Sequence, residues 1–511
     1  MTRWCAFLAC GLLLASCRNN ASNVVLASLD RTERIDLLCA EIEQLTGNTY
    51  QLFRTLPLEI CDSDTTLQAN PVAPNASAQF LGAVTQTESG TVAVVNFSNG
   101  AIFDTSVTVP GVTALRVGEQ PTAVQVSPVD SRYTYVSSFS PKLVQAISTR
   151  EVITGSPVGV DQNGEPLPVL PRQELRFDGG PADLVLHEKA TTETTVDEDS
   201  QEVTAVSTQV DWRYLYAAIP ELGQVVQIEV LVNNATGEQT FGTVTEIQLP
   251  TYACDTVTPV DPPTSDDTDY NRICPEDFDN REEGRFIKEV TTTVPCVDGT
   301  GTGAMPVALT IDPGEPGNDL DDVLLVADAN QPVIHRFRIW LNGAMAQDPI
   351  VTLAPTKAVD TTPFVPATSD RDDRAATQRY IYAVTVGDSS ILAVDYTPGS
   401  PDFGAVLPVV AGISTRANEE NVESRNRVRT GFSNVRAIEV VTPFYELEPD
   451  GAGGLRVPDG DSETDICNPA DPDAFGLAQN SRNMRGVFLA MSLSDGIMIF
   501  LDVYDLNAPC R

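Results

Sequence analysis

The sequence predicts an all-β chain folded as a single β-propeller of six blades, with seven the alternative. A short N-terminal helix and long loop insertions are added to it. Three observations predict this. First, one figure occurs six times: an apolar run, a short polar turn and a second apolar run. It is clearest from Arg379 to Tyr396 and recurs from Phe80, Arg132, Arg213, Asp322 and Arg485. Each copy reads as a β-hairpin. Second, recurrence of one supersecondary unit along a chain signals a repeat architecture, and repeated hairpins of this size suit a ring of blades. Third, the composition is rich in Val, Thr, Pro and Gly and poor in Lys, as a strand-and-turn protein requires.

In chain order, residues 1–16 read as a lipoprotein signal peptide. Arg3 supplies the positive start, and Trp4 to Leu13 is an apolar run too short to span a bilayer as a stable helix. Leu14-Ala15-Ser16-Cys17 follows and resembles a bacterial lipobox, which implies acylation of Cys17. Acyl chains anchor a protein by roughly 0.8 kcal/mol per buried CH₂. By the sorting pattern of enteric bacteria, Arg18 rather than Asp after that cysteine implies the outer membrane. Residues 17–28 read as a tether. Residues 29–78 read as an N-terminal helix and connector, because Ile35, Leu38, Ile42 and Leu45 follow helical spacing up to Gly47. A strand candidate lies at Thr49 to Leu56, with a polar connector after it.

Residues 79–511 hold the propeller and its insertions. An inner strand is expected before each hairpin. The clearest are Pro121 to Ser127, Pro181 to His187, Pro306 to Asp312 and Val435 to Val441. A proline opening a strand is tolerated because its missing N–H lies outside the ladder. Outer strands are expected at Thr105 to Val109, Glu174 to Phe177, Thr240 to Leu249, Ile350 to Leu353 and Val406 to Val410. Thr191 to Val210 reads as a protruding hairpin. Insertions fill 251–302, 411–434 (with Arg416, Arg425, Arg427 and Arg429) and 443–484. Ring closure is expected from the N-terminal side, with Thr49 to Ile60 or Pro71 to Ala78 pairing near the last blade.

The stretch from Gly118 to Thr149 resembles the repeat of the Tyr-Val-Thr-Asn (YVTN) β-propeller proteins. It has the Gly-x-x-Pro entry, the Val-x-Val-Ser-Pro strand, the Arg-Tyr-x-Tyr-Val strand and the closing hairpin, with Ser138 in place of the signature Asn. The other units match mainly in the hairpin. The resemblance implies a propeller and, since lactonase-like relatives vary in function, no single activity.

The formal charge is −39, from 71 acidic against 32 basic residues. That argues against nucleic acid and against attraction to anionic lipid. Besides Cys17, seven cysteines remain after the leader: Cys39, Cys61, Cys254, Cys274, Cys296, Cys467 and Cys510. An exported chain favours disulfides, and an odd number leaves one thiol over. Cys39–Cys61 with Cys467–Cys510 is the preferred pairing, Cys61–Cys510 its rival, and two of the remaining three are expected to pair. Cys254, Cys274 and Cys296 lack the C-x₂-C spacing of a zinc site.

Several groups invite a functional reading. Asp183, His187, Asp312 and Glu439 stand on inner strands and would line the channel mouth if they converge, as a lactonase-like hydrolase requires. His335 lies mid-hairpin. No G-x-S-x-G or H-E-x-x-H motif is present, so no catalytic residue is assigned. Asp-rich loops at 261–269, 319–322, 370–373 and 459–465 could offer oxygens to Ca²⁺, but none has the EF-hand pattern, and no cofactor or metal ligand is assigned. The Arg-Tyr pairs 132–133, 213–214 and 379–380 fit strand starts, with the Arg closing a turn and the Tyr packing between blades. Carbohydrate binding needs exposed aromatic platforms, and aromatic residues make up only 6% of the chain. The leading expectation is a lipid-anchored envelope module that binds or scaffolds a protein partner.

Overall fold

The computed structural model describes residues 32–46, 49–62, 76–96, 101–105, 114–156, 169–196, 203–251, 254–256, 294–296, 303–312, 322–331, 333–340 and 343–352. Beyond these it describes strand segments at 361–367, 380–385, 391–395, 406–410, 435–441, 448–449, 455–456, 488–493 and 498–502. The fold is a β-propeller. The first sheet holds β1 (Thr32–Thr46), β2 (Thr49–Leu56), β3 (Ser77–Gln86), β4 (Thr91–Asn96), β5 (Ala101–Ile102) and β6 (Ala114–Arg116). Helix α1 (Leu58–Asp62) follows β2. The second sheet is the meander β7 (Glu119–Val126), β8 (Tyr133–Ser140), β9 (Leu143–Ser148) and β10 (Gln173–Arg176), with α2 (Thr149–Thr154) after β9. The third is β11 (Asp183–Val196), β12 (Val203–Ile219), β13 (Gln224–Val232) and β14 (Gln239–Gln248).

A small parallel pair, β15 (Cys254–Thr256) and β16 (Val294–Cys296), precedes the fourth sheet. That sheet is β17 (Pro306–Asp312), β18 (Val323–Asp328), β19 (Val333–Ile339) and β20 (Met345–Thr352). The fifth is β21 (Thr361–Ala367), β22 (Tyr380–Thr385), β23 (Ile391–Asp395) and β24 (Val406–Val410). The sixth is β25 (Val435–Val441), β28 (Phe488–Leu493) and β29 (Met498–Asp502), interrupted in sequence by the short pair β26 (Glu448–Pro449) and β27 (Leu455–Arg456).

All six expected hairpins form, each antiparallel and in register within one sheet. The inner strands β1, β7, β11, β17, β21 and β25 are neighbours in that order, and β25 returns to β1. The core is layered between sheets rather than gathered at one centre. Leu38, Ala40 and Ile42 of the first sheet pack with Val124, Val136 and Ile147 of the second. The other faces of β8 and β9, through Tyr135 and Val144, meet Leu184, Leu215 and Ile228 of the third sheet. Tyr216 and Val225 then meet Leu324, Val326 and Phe337 of the fourth. Leu325 and Ile334 meet Ile381 and Val394 of the fifth. A sheet buried on both faces reads as a near-continuous apolar run, not as strict alternation. That is why every residue of β9 and β18 is buried.

The same fact corrects the expected N-terminal helix at residues 29–45. Thr32–Thr46 is a strand, paired with β2 through its C-terminal half and with β3 along most of its length. Leu38 to Ile42 is buried without a break. Leu38, Ala40 and Ile42 face the second sheet, while Cys39 on the opposite face packs with Leu56 and Ile60. A doubly buried strand holds apolar residues at spacings that also fit a helix, and pairing decides between the two. Closure is corrected too. Among the described residues neither β2 nor the start of β3 pairs with the last sheet; β1 completes the first sheet and lies beside β25 and β28.

Candidate functional site at the ring of inner strands

Strands β7, β11 and β17 are the edge strands of their sheets, with no ladder partner on the channel side, so their N–H groups there need other acceptors. Side chains of the preceding inner strand supply them. Asp36 Oδ2 on β1 accepts from Val126 N on β7. Gln125 Oε1 on β7 accepts from Leu186 N on β11 at 3.1 Å. Asp183 Oδ2 on β11 accepts from Leu309 N on β17 at 2.8 Å. Three consecutive junctions thus carry the same kind of clasp with different side chains.

Asp183 is held from a second side. Arg34, on β1, donates through Nε to Asp183 Oδ1 at 3.1 Å and through Nη2 to Oδ2 at 2.6 Å. The pair joins the first sheet to the third, skipping the second. The Asp183 side chain is 3% exposed and that of Arg34 19%. This is the bidentate geometry that a guanidinium fork offers a carboxylate.

His187 lies four residues further along β11. Its Nε2 is 2.7 Å from Asp322 Oδ2, at the entry to β18. Asp312 is buried, and its backbone pairs with Val323, next to Asp322. The structure therefore brings His187, Asp312 and Asp322 to one end of the β11–β17 junction. Asp183 is engaged further back, roughly 13 Å away at the rise of an extended strand. Glu439 is on β25, opposite Ala490, in the inner-strand position expected for it. His335 is fully buried, with Nε2 3.0 Å from Asp328 Oδ2 inside the fourth sheet.

Alternation along Trp212-Arg213-Tyr214-Leu215-Tyr216 sends its residues to two sheet interfaces. Arg213 points toward the second sheet, and its side chain is fully buried. It donates from Nε to Glu188 Oε2 at 2.7 Å and from Nη1 to Tyr135 Oη at 3.1 Å, with Asp130 Oδ2 3.5 Å away. Tyr135 Oη in turn donates to Gln239 Oε1, and Ser127 Oγ to Glu188 Oε1. Burial pushes the Tyr135 phenol far above its ordinary range. Burial also works against the charged Arg213, but Tyr135, Glu188 and Asp130 more than offset it and keep the guanidinium charged. This network was not legible in the sequence, although the Arg-Tyr repeat marked its position. The expected turn-closing role fits Arg132, which pairs with Asp130 two residues away. It does not fit Arg213, which ties two sheets together.

Cys39 and Cys61 form a disulfide between β1 and α1. Cys254 and Cys296 lie on the paired strands β15 and β16. Cys17, Cys274, Cys467 and Cys510, with most of the Asp-rich loop residues, fall outside the described residues. Among the described residues no group of three His, Cys, Asp or Glu side chains is placed to hold a metal ion. Among them too, no helix is long and apolar enough to cross a membrane.

No family model matches the sequence, and no curated protein matches it. Solved structures are similar at low identity. A 6-phosphogluconolactonase-like protein of Bacteroides uniformis is 10% identical with a TM-score of 0.33, covering 74% of this chain and 86% of its own. The β-propeller domain of Cps50 (Swd1) from Myceliophteria thermophila is 11% identical at 0.31, covering 83% and 93%. An auxiliary nutrient binding protein of Bacteroides thetaiotaomicron is 10% identical at 0.31, covering 74% and 66%. The propeller itself is evident in this chain's own sheets and their ring of inner strands.

Proposed function

We propose that this chain is a binding or scaffold module for a protein partner, anchored in the bacterial outer membrane by lipid on Cys17. The observation that carries this reading is the commitment of Asp183. A lactonase-like site at the channel mouth needs polar groups from several inner strands free to meet a substrate. Asp183 instead holds Arg34 and the Leu309 N–H, and Asp36 and Gln125 hold the neighbouring junctions. With Asp36, Gln125 and Asp183 bound into the ring, we assign recognition of the partner to the connections between strands. The β11–β12 hairpin is the longest of these described, pairing from Asp183↔Ala218 out to Val196↔Val203. An acidic chain of formal charge −39 suits a partner with a basic contact face.

The resemblance of Gly118 to Thr149 to YVTN repeats is compatible with this role. One observation favours the hydrolase alternative: His187 beside Asp322 is a histidine–carboxylate pair near the mouth. A single experiment separates the two. The Cys17-anchored protein is cross-linked in cells and captured, alongside a variant lacking Thr192 to Thr208 and a Cys17→Ala variant. The scaffold reading expects one envelope protein captured by the parent and lost from the shortened hairpin, with Cys17→Ala released from the membrane. Turnover of a lactone that disappears in His187→Gln would replace it with the hydrolase reading.

A further inference from the structure

Aromatic residues are scarce, but two of them are placed together at a mouth. Trp212 and Tyr214 lie two apart on β12 and so share one face, with ring centroids 6.0 Å apart. Both are half-buried. Each has a polar atom, the indole N–H and the phenol, with no hydrogen-bond partner among the described residues. Gly343, at φ +76, admits the Tyr214 ring: a Cβ there would come within 2.5 Å of Tyr214 Cζ. His187 lies under the Trp212 ring at 4.6 Å between centroids, tilted by 57°.

The His187 side chain is 7% exposed, and its Nδ1 is buried with no hydrogen-bond partner. Buried polar atoms in native proteins are nearly always paired, and an unpaired one calls for an explanation. Nε2 is taken by Asp322, whose side chain is 16% exposed and has carboxylate capacity to spare. The cluster therefore combines an aromatic platform, an indole donor, a phenol, a carboxylate and an unused imidazole nitrogen, all at the junction of the third and fourth sheets.

We propose that Trp212, Tyr214, His187 and Asp322 form a binding site for a neutral or amino-bearing saccharide. A pyranose has an apolar C–H face that stacks on an indole and a rim of hydroxyls that both donate and accept hydrogen bonds. Those are the two complements this cluster lacks. A carboxylate beside the platform and the acidic chain as a whole select against anionic sugars. The site stands apart from the β11–β12 tip, so it does not depend on the protein partner proposed above.

The test uses the full-length protein on an array of neutral, amino and acidic oligosaccharides, with calorimetry on any sugar retained. Neutral or amino sugars should bind. Trp212→Ala should weaken them by about tenfold or more, and Tyr214→Phe and His187→Gln by less. Trp212→Phe, which keeps a platform and guards against loss of folding, should retain most of the affinity. Absence of binding to every sugar overturns the proposal, as does selective binding of acidic sugars. So does binding that Trp212→Ala leaves unchanged while its unfolding midpoint matches the parent.

Discussion

Replacing Arg34 by Met should destabilise the propeller by about 2–3 kcal/mol, well beyond what an exposed ion pair contributes. Met keeps the apolar stem, so the change isolates the guanidinium. Asp183 would lose two charge-assisted hydrogen bonds, of 3.1 and 2.6 Å, while its side chain stays 3% exposed. Hydrogen bonds to charged groups contribute roughly 1.5–3 kcal/mol each, and breaking a buried pair costs roughly 3–5 kcal/mol. Arg34 is 19% exposed, and Asp183 keeps its bond from Leu309 N, so the expected loss lies at the lower end. Equilibrium urea unfolding should show a lower midpoint with an unchanged slope. A double-mutant cycle with Asp183→Asn should give a coupling of about 1–2 kcal/mol. The coupling joins β1 of the first sheet to β11 of the third, so it exists only if the inner strands face one shared channel. A loss below about 1 kcal/mol, or coupling near zero, would refute the cross-channel latch.

Three further outcomes are expected. Arg213→Met leaves the buried Glu188 carboxylate without its cation, while Asp130 keeps its pair with Arg132, and should cost about 3–5 kcal/mol in denaturant unfolding; adding Glu188→Gln should recover part of it. Removing the Cys39–Cys61 bridge, whose partners are 22 residues apart, should cost about 3.4 kcal/mol in the chain-entropy model. That loss should appear as a lower midpoint of the parent, but not of the Cys39→Ser/Cys61→Ser double variant, when reductant is added. Burial raises the Tyr135 and Tyr216 phenols above the ordinary value of 10.0. The folded chain then holds their protons longer than the unfolded chain does. This stabilisation is complete below that value and is lost as pH rises through the folded values. Thermal midpoints should fall on the alkaline side, and tyrosinate absorbance should lag that of the unfolded chain; Tyr135→Phe should lessen the pH dependence.

The sequence foretold the hairpins because a hairpin is local. Arg132 to Ser148 and Arg213 to Val230 each carry both strands and their turn within one short window, and their pairing needs nothing distant. The inner strands at Pro121 to Ser127 and Pro306 to Asp312 were legible for the same reason, as apolar runs opened by a proline. The strand at Thr32–Thr46 was not. Its burial comes from the second sheet on one face and from Leu56 and Ile60 on the other, and nothing in residues 29–45 states that a second sheet will cover them.

The candidate site divides along the same line. Asp183 and His187 could be chosen from the sequence because they are polar residues on an inner strand. What each does was set by residues far away: Arg34 and Leu309 for one, Asp322 and Trp212 for the other. The clasps at Asp36, Gln125 and Asp183 are equivalent only in the ring. They differ in residue type, and the insertions between units spread them unevenly along the chain, so no repeat search over the sequence would align them. Their common cause is the open edge of β7, β11 and β17, which presents N–H groups to the side chains of the preceding inner strand. Any carboxylate or amide of the right length at that level will serve. The requirement is geometric before it is chemical, and repeats whose sequences have drifted this far can still close the same ring.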